Sequence, residues 1–237
     1  MLKVTNDGRK LALDQRMIDP MLLDDPESKV NACVDNVYRI WEEHADTKAT
    51  QIVFCDLYTP KSEGSLNVYD DIRNKLIACG IPADEIKFIH EADIEANKQE
   101  LFRKVRRGEA RVLIGSTAKM DAGTNVQNKL IASHDLDCPW RPSDLEQRSG
   151  RTVRQGNENP IVGLYRYATE EAFDAYLYQL AEGKQKFSGQ IMTSKSPVRS
   201  AGDRQPLHQR EDGLGHSGAA APTFEIQLPL VNLCFGG

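Results

Sequence analysis

IKFIHEADIEANKQELFRKVRRGEARVLIG, running from Ile86 to Gly115, reads as a strand, a helix and a second strand. Ile86 to His90 is a short apolar run. From Ile94 to Arg107 the apolar positions Ile94, Leu101, Phe102 and Val105 share one helical face, and Gly108 closes the helix. Arg111 to Gly115 is the nearly unbroken apolar run that a strand covered on both faces needs. The same alternation extends outward. Upstream, Ser28 caps a helix whose stripe is Val30, Cys33, Val37, Ile40, Trp41 and His44. QIVFC at Gln51 to Cys55 is the next strand. Val68 to Cys79 then puts Tyr69, Ile72, Leu76 and Cys79 on one helical face, stopped by Gly80 and Pro82. Downstream, Leu130 to Leu136 and Ile161 to Tyr167 are strands. A last helix is predicted over about 170–187, capped by Thr169, with Phe173, Tyr176, Leu177 and Leu180 toward the core. Alternation with short connections implies right-handed crossovers, hence an α/β lobe with a mostly parallel sheet and helices on both faces.

A chain of 237 residues holds one domain of ordinary size plus appendages, not two catalytic domains. It is 40% hydrophobic and 27% charged, and no apolar run approaches the roughly 18 residues of a membrane span. No apolar stretch follows the basic residues of MLKVTNDGRKLALDQRM, so no secretory signal is read and a cytoplasmic location is expected, with no membrane partner. A net charge of -5 excludes gripping nucleic acid by global positive charge, so any such contact must be local. Cys33, Cys55, Cys79, Cys138 and Cys234 are too widely spaced for a C-x-x-C pair and read as free thiols, with no metal site. Residues 1–27 read as an irregular lead-in, 28–190 as the lobe, and 196–237, rich in Gly and Pro, as a disordered or atypical tail. FEIQLPLVNLCF within that tail is apolar enough either to dock or to be an accidental terminus.

Chemistry concentrates in RPSDLEQRSGRTVRQG, Arg141 to Gly156. Ser143 and Glu146 form a capping-box pattern that starts a helix at Asp144. Gln147, Arg151 and Arg154 stand at i, i+4 and i+7 and share a face of donors suited to phosphate, because guanidinium forks match phosphoryl oxygens and stay charged. Gly150, costly inside a helix, implies a close approach to the backbone there, and Gly156 ends the helix. The plain alternative is a solvated basic helix. In RVLIGSTAKMDAGTNVQ, Arg111 to Gln127, Ser116 and Thr117 follow a buried strand and precede Gly123, Thr124 and Asn125. Hydroxyls and N–H groups at a strand's carboxyl end can hold backbone phosphates; alone, such a Ser-Thr pair is a helix cap or turn.

Together these segments resemble the carboxyl-terminal, second RecA-like lobe of a superfamily-two helicase, closest to Snf/Swi-type DNA translocases, over roughly Ser28 to Lys195. QIVFC resembles that lobe's first strand. STAKMDAGTNVQ resembles its T-x5-G-x-[DN] motif, and HDLDCPWRPSDLEQRSGRTVRQG resembles D-x-P…Q-R-x-G-R-x-x-R through Asp135 or Asp137, Pro139, Gln147, Arg148, Gly150, Arg151 and Arg154. The resemblance implies a P-loop-NTPase-type RecA-like fold. It implies Arg151 and Arg154 as arginine fingers with Gln147 beside them, Gly123 and Asn125 facing nucleotide, and Ser116 and Thr117 contacting DNA. It also implies ATP and Mg2+ as cofactors, bound mainly by a first lobe.

No G-x-x-x-x-G-K-[ST] loop is present: GTNVQNKL, Gly123 to Leu130, has Asn128 and Leu130 where the second glycine and the hydroxyl belong. No Asp-Glu pair follows an apolar strand. The chain is therefore expected to supply only the finger side of a motor, as a fragment or with a partner lobe, and not to hydrolyse ATP alone. The reading from another class is a degenerate α/β module that binds nucleic acid or protein without an ATP cycle. The six basic residues of Lys98 to Arg111 read as a solvated face before a DNA contact. His134 reads as structural, and Trp140 as closing a loop over the core rather than stacking on a base.

Overall fold

The computed structural model describes residues 2–57, 67–92, 94–120, 125–169, 172–192 and 223–229. In chain order the elements are α1 (Leu2–Leu13), α2 (Lys29–Glu43), β1 (Thr50–Phe54), α3 (Val68–Cys79) and β2 (Ile86–Phe88). They continue as α4 (Glu95–Arg107), β3 (Val112–Gly115), β4 (Leu130–Asp135), α5 (Pro142–Thr152), β5 (Ile161–Tyr167), α6 (Phe173–Met192) and β6 (Thr223–Pro229). The sheet order is β2-β3-β1-β4-β5-β6. The first five strands are parallel, and β6 lies antiparallel on β5. This is the expected α/β, RecA-like arrangement.

Period-two alternation sorts the strand residues between two cores. Val53, Val112, Ile114 and Tyr167 turn toward α2 and α3, where Val30, Cys33, Val37, Tyr69, Ile72 and Leu76 meet them. Ile52, Phe54 and Leu113 turn the other way, onto Leu101, Phe102 and Val105 of α4. Helices therefore cover both faces. Ser28 caps α2 by accepting from the Asn31 N–H, and Gly80 and Gly108, both in the left-handed region, end α3 and α4. Gly115 closes β3 against Ile89 and Met120, whose side chains occupy the space a Cβ would need.

Several expectations are corrected. The lead-in contains a helix, α1, with no periodic stripe to announce it. Among its residues of described burial only Ala12 and Leu13 are buried, while Val4 and Leu11 face out. Contacts from far along the chain fasten it instead: Arg9 donates to the Cys138 carbonyl at 3.0 Å and the Thr169 hydroxyl to the Ala12 carbonyl at 2.9 Å. Thr169 is thus engaged with α1 rather than capping α6, which starts at Phe173. Its inward face is Asp174, Leu177, Tyr178 and Ala181, not Tyr176 and Leu180, which are exposed. The reason is a buried ion pair at 2.6 Å between Asp174 and Lys29 of α2, which fixes the helix rotation. In the tail, 223–229 add the sixth strand, so FEIQLPLVNLCF docks in part; the rest of 196–237 lies outside the described residues. Ile94 is exposed at the start of α4, and Arg111 is buried among carbonyls of Trp41, His44 and Ala49. The remaining basic face of α4 carries the exposed Arg103, Lys104 and Arg107, with Arg103 paired to Glu100.

Candidate functional site

β1 connects outward to β2 on one side, whereas β4 connects to β5 on the other. At such a reversal an α/β sheet opens a crevice beyond the strands' carboxyl ends. Here that crevice is filled from within by one arginine. Asp56 follows β1, Ser116 and Thr117 follow β3, Asp135 ends β4 and Asp137 follows it, so the order β3-β1-β4 sets them side by side. α5 begins just beyond and inserts Arg148 among them, with no measurable exposure.

All five guanidinium N–H groups of Arg148 find acceptors. Nε donates to the Thr117 hydroxyl at 2.8 Å; Nη1 donates to Asp135 Oδ1 at 3.2 Å and the Asp137 carbonyl at 2.9 Å. Nη2 donates to Asp56 Oδ2 at 2.8 Å and Asp137 Oδ1 at 3.1 Å. The acids are themselves tied in. Asp137 Oδ2 accepts the N–H groups of Asp56 and Leu57, and Asp56 accepts from the Thr117 N–H at 2.6 Å and its hydroxyl at 2.9 Å. The Arg148 guanidinium also lies over the Phe54 ring. Burial opposes its charge, but Asp135, Asp137 and Asp56 outweigh that and keep it protonated well beyond the usual arginine range. Burial keeps the Asp135 carboxyl above the ordinary range in spite of Arg148 and Arg166.

One turn further along α5, Arg151 donates through Nη1 to the carbonyl of Met120, in the turn after β3. It therefore stands at the carboxyl rim beside the network. Gln147 is exposed one turn earlier on α5. Arg154 is exposed too but lies past the end of α5, which stops at Thr152, so the expected three-residue face is two helical residues followed by a loop residue. α5 begins at Pro142 rather than Asp144, because proline at the first helical position presets the backbone and no side-chain cap is made. Gly150 faces open space, so no close approach explains it, and Gly156 at φ 86° belongs to the following turn.

Thr117 and Ser116 are each 6% exposed, with the Thr117 hydroxyl engaged between Asp56 and Arg148 and Ser116 Oγ accepting the Lys119 N–H. Asn125 is exposed, and its carbonyl accepts from Arg106. Gly123 lies outside the described residues. Arg148, Asp56 and Asp137 are what the sequence reading left without roles. A signal for Arg148 was present: with Leu145 and Thr152 it occupies the buried stripe of α5 at i, i+3 and i+7, where an arginine requires acid partners.

Elsewhere, Asp14, Asp24 and Asp71 converge, but around Arg16 and Lys75, which pair with them. Cys33, Cys55 and Cys138 are buried free thiols, Cys79 is exposed, and Cys234 lies outside the described residues. No helix among the described residues is long and apolar enough to cross a membrane. His134 is structural. Nδ1 meets the Tyr167 hydroxyl at 2.8 Å, Nε2 meets Gln51 Oε1 at 3.0 Å, and its ring stacks on Tyr165.

Burial pushes the His134 pKa from 6.5 down to about 3. Folded, the ring stays neutral; unfolded, it takes a proton below about 6.5. Its contribution to stability is thus fully present above that pH and is lost as pH falls toward 3. At pH 5 the loss is about 2 kcal/mol on this basis. Urea midpoints at pH 7.5 and 5.0 are expected to differ more in the parent chain than in His134→Gln. Equal differences would remove His134 as the source.

A mostly parallel sheet with an arginine-bearing helix anchored at its carboxyl rim agrees with the RecA-like lobe expected from the sequence. Residues 29–156 match the family described as helicase conserved C-terminal domain, and the chain belongs to that family. It is 30% identical over 142 residues to the uncharacterized ATP-dependent helicase YqhH of Bacillus subtilis (strain 168), a match over 57% of this chain and 24% of that protein. The match thus spans about a quarter of that relative's length. Among solved structures, the C-terminal part of the Fun30 ATPase domain is 19% identical with a TM-score of 0.49, covering 62% of this chain and 44% of that one. The Pyrococcus furiosus Hef helicase domain is 19% identical with a TM-score of 0.45, covering 67% and 29%.

Proposed function

We propose that residues 28–190 are the second lobe of an ATP-dependent DNA helicase or translocase of Snf/Swi-like kind, acting with a phosphate-loop lobe. The observation that supports this best is the Arg148 network. It clamps α5 to the ends of β1, β3 and β4 and so holds Arg151 at the rim where a nucleotide bound by a facing lobe would present its terminal phosphate. Arg151 then exchanges a neutral acceptor, the Met120 carbonyl, for an anionic one, which makes the stronger charge-assisted bond. Arg154, on the loop past α5, is the second cation and Gln147 stands one turn before Arg151 on α5; Asn125 and Gly123 enter this proposal on the motif alone. ATP with Mg2+ supplies the phosphoryl group, and the residues here fit only the side of it that needs positive charge.

Thr117 has a positioning role in this proposal. Its hydroxyl joins the segment after β3 to Arg148, so a DNA phosphate approaching Ser116 and Thr117 would be felt at α5. Lobe closure and opening would then link nucleotide turnover to movement along DNA. The test is turnover itself. The purified chain alone is expected to show no arginine-dependent ATP hydrolysis, whereas the same lobe joined to a phosphate-loop lobe gains it. Turnover by the chain alone would overturn the proposal; absence from the joined lobes would favour a module that binds without an ATP cycle.

A further inference from the structure

Between α1 and α2 the chain holds apolar side chains out into solvent. Met21 is 88% and Leu23 84% exposed, and Ile18 and Leu22 are exposed beside them, so large apolar groups crowd a short segment as scattered surface residues do not. The segment is fastened in that pose. The Leu22 N–H donates to the Asp19 carbonyl at 3.1 Å and the Met21 N–H to Asp19 Oδ1 at 3.0 Å, closing a β-turn with Pro20 at its second position. Just beyond, Gln15 Nε2 donates to the Leu23 carbonyl at 3.3 Å, and Asp24 is paired by Arg16 at 2.9 Å and Lys75 at 2.8 Å. The other exposed charges bordering the turn in sequence, Asp19, Asp25 and Glu27, are all acidic. The match to the helicase family begins at residue 29, so the turn lies outside it.

A surface of opposite character lies between α5 and α6. An open cleft of about 680 Å³ is lined there by Arg141, Pro142 and Ser143 at the start of α5 and by Leu180, Gly183 and Lys184 of α6, and none of its lining residues is acidic. Arg141 follows Trp140, which is exposed and so does not close a loop over the core. Gly183 stands inside α6, where glycine is costly, and a Cβ there would meet nothing within 4 Å, so the missing side chain leaves the cleft open. We propose that this cleft receives the 19–23 turn of a second copy of this chain, with Met21 and Leu23 against Pro142, Leu180 and Gly183 and the turn's acids beside Arg141 and Lys184. The occupant follows from complementarity: an apolar knob with an acidic rim meets an apolar cleft with a basic one. Within one chain both are open, so the turn does not fill its own cleft. A knob on one face and a cleft on another make a heterologous contact, which repeats from copy to copy instead of closing as a twofold pair. None of these residues belongs to the Arg148 network, and the contact does not depend on the ATP cycle.

Sedimentation velocity of the full chain, up to about 100 μM because so small a contact belongs with weak, transient interfaces, reads the association. Species larger than a dimer are expected to grow with concentration. Met21→Asp combined with Leu23→Asp, both at exposed positions, should abolish that growth, since each apolar side chain buried in the contact contributes about tenfold in affinity or more. Gly183→Leu should abolish it too by filling the cleft, and the fold should tolerate the change because the added side chain enters open space and leucine favours a helix. The decisive sample mixes these two variants, each monomeric alone. One keeps an intact cleft and the other an intact turn, so together they should form a one-to-one complex that grows no further. A parent chain that stays monomeric over the whole range, variants that associate as the parent does, or a mixture that remains monomeric would each overturn the proposal. Loss of the motor reading would appear in ATP turnover and leave these outcomes unmoved.

Discussion

Replacing Arg148 with alanine is expected to cost about 3–5 kcal/mol of stability, the range for removing one partner of a buried ion pair. The reason is what stays behind. Asp135 and Asp137 are buried, Asp56 is partly so, and each loses its guanidinium donor at once. Against a total of about 5–15 kcal/mol for a folded domain, the loss is a large fraction. The effect should depend on pH in a particular direction. Burial already holds the Asp135 carboxyl above the ordinary range, and without the guanidinium it takes up a proton more readily still, so the deficit of Arg148→Ala relative to the parent should narrow as pH falls. Arg148→Lys supplies charge but only three donors without the planar fork, and should fall between the two. Urea denaturation followed by circular dichroism measures all of this, and a shift below about 1 kcal/mol for the alanine variant would show that the network adds little beyond packing.

Arg151→Ala is expected to do the opposite: little to the fold, much to the chemistry. Its side chain is only half-buried, at the edge of the rim. In lobes joined to a phosphate-loop partner its removal should lower kcat by about 10³ or more, with nucleotide affinity almost intact, because a finger acts on charge that develops during transfer. Arg154→Ala should follow the same pattern; a raised KM with unchanged kcat would instead mean ordinary ground-state binding. The two arginines three positions apart are thereby distinguished: Arg148 through stability, Arg151 through rate.

The fold was legible because its signals are local. Ser28, Gly80 and Gly108 mark helix ends where the structure has them, and QIVFC and RVLIG lie on central strands. What misled was tertiary. The helix α1 exists through Arg9, Thr169 and the packing of Gly8 on Phe173, none of which leaves a periodic trace. The inward face of α6 is set by an ion pair whose partners are 145 positions apart. At the site, the motif spacing marked the α5 segment, yet the guanidinium with the fullest set of partners was hidden, because those partners come from three separate strand ends. Thr117 shows a related effect: a hydroxyl after a buried strand looks free in sequence, and in space it joins Asp56 to Arg148.

The most direct measurement compares how joined lobes bind ADP and how they bind ADP with aluminium fluoride, which mimics the phosphoryl group in transfer. The expected result is that Arg151→Ala leaves ADP binding nearly unchanged and abolishes the tighter binding of the mimic, since only the latter presents the charge a finger meets. Equal loss on both ligands, or no loss on either, would contradict the claim that α5 aims Arg151 at a transferring phosphate.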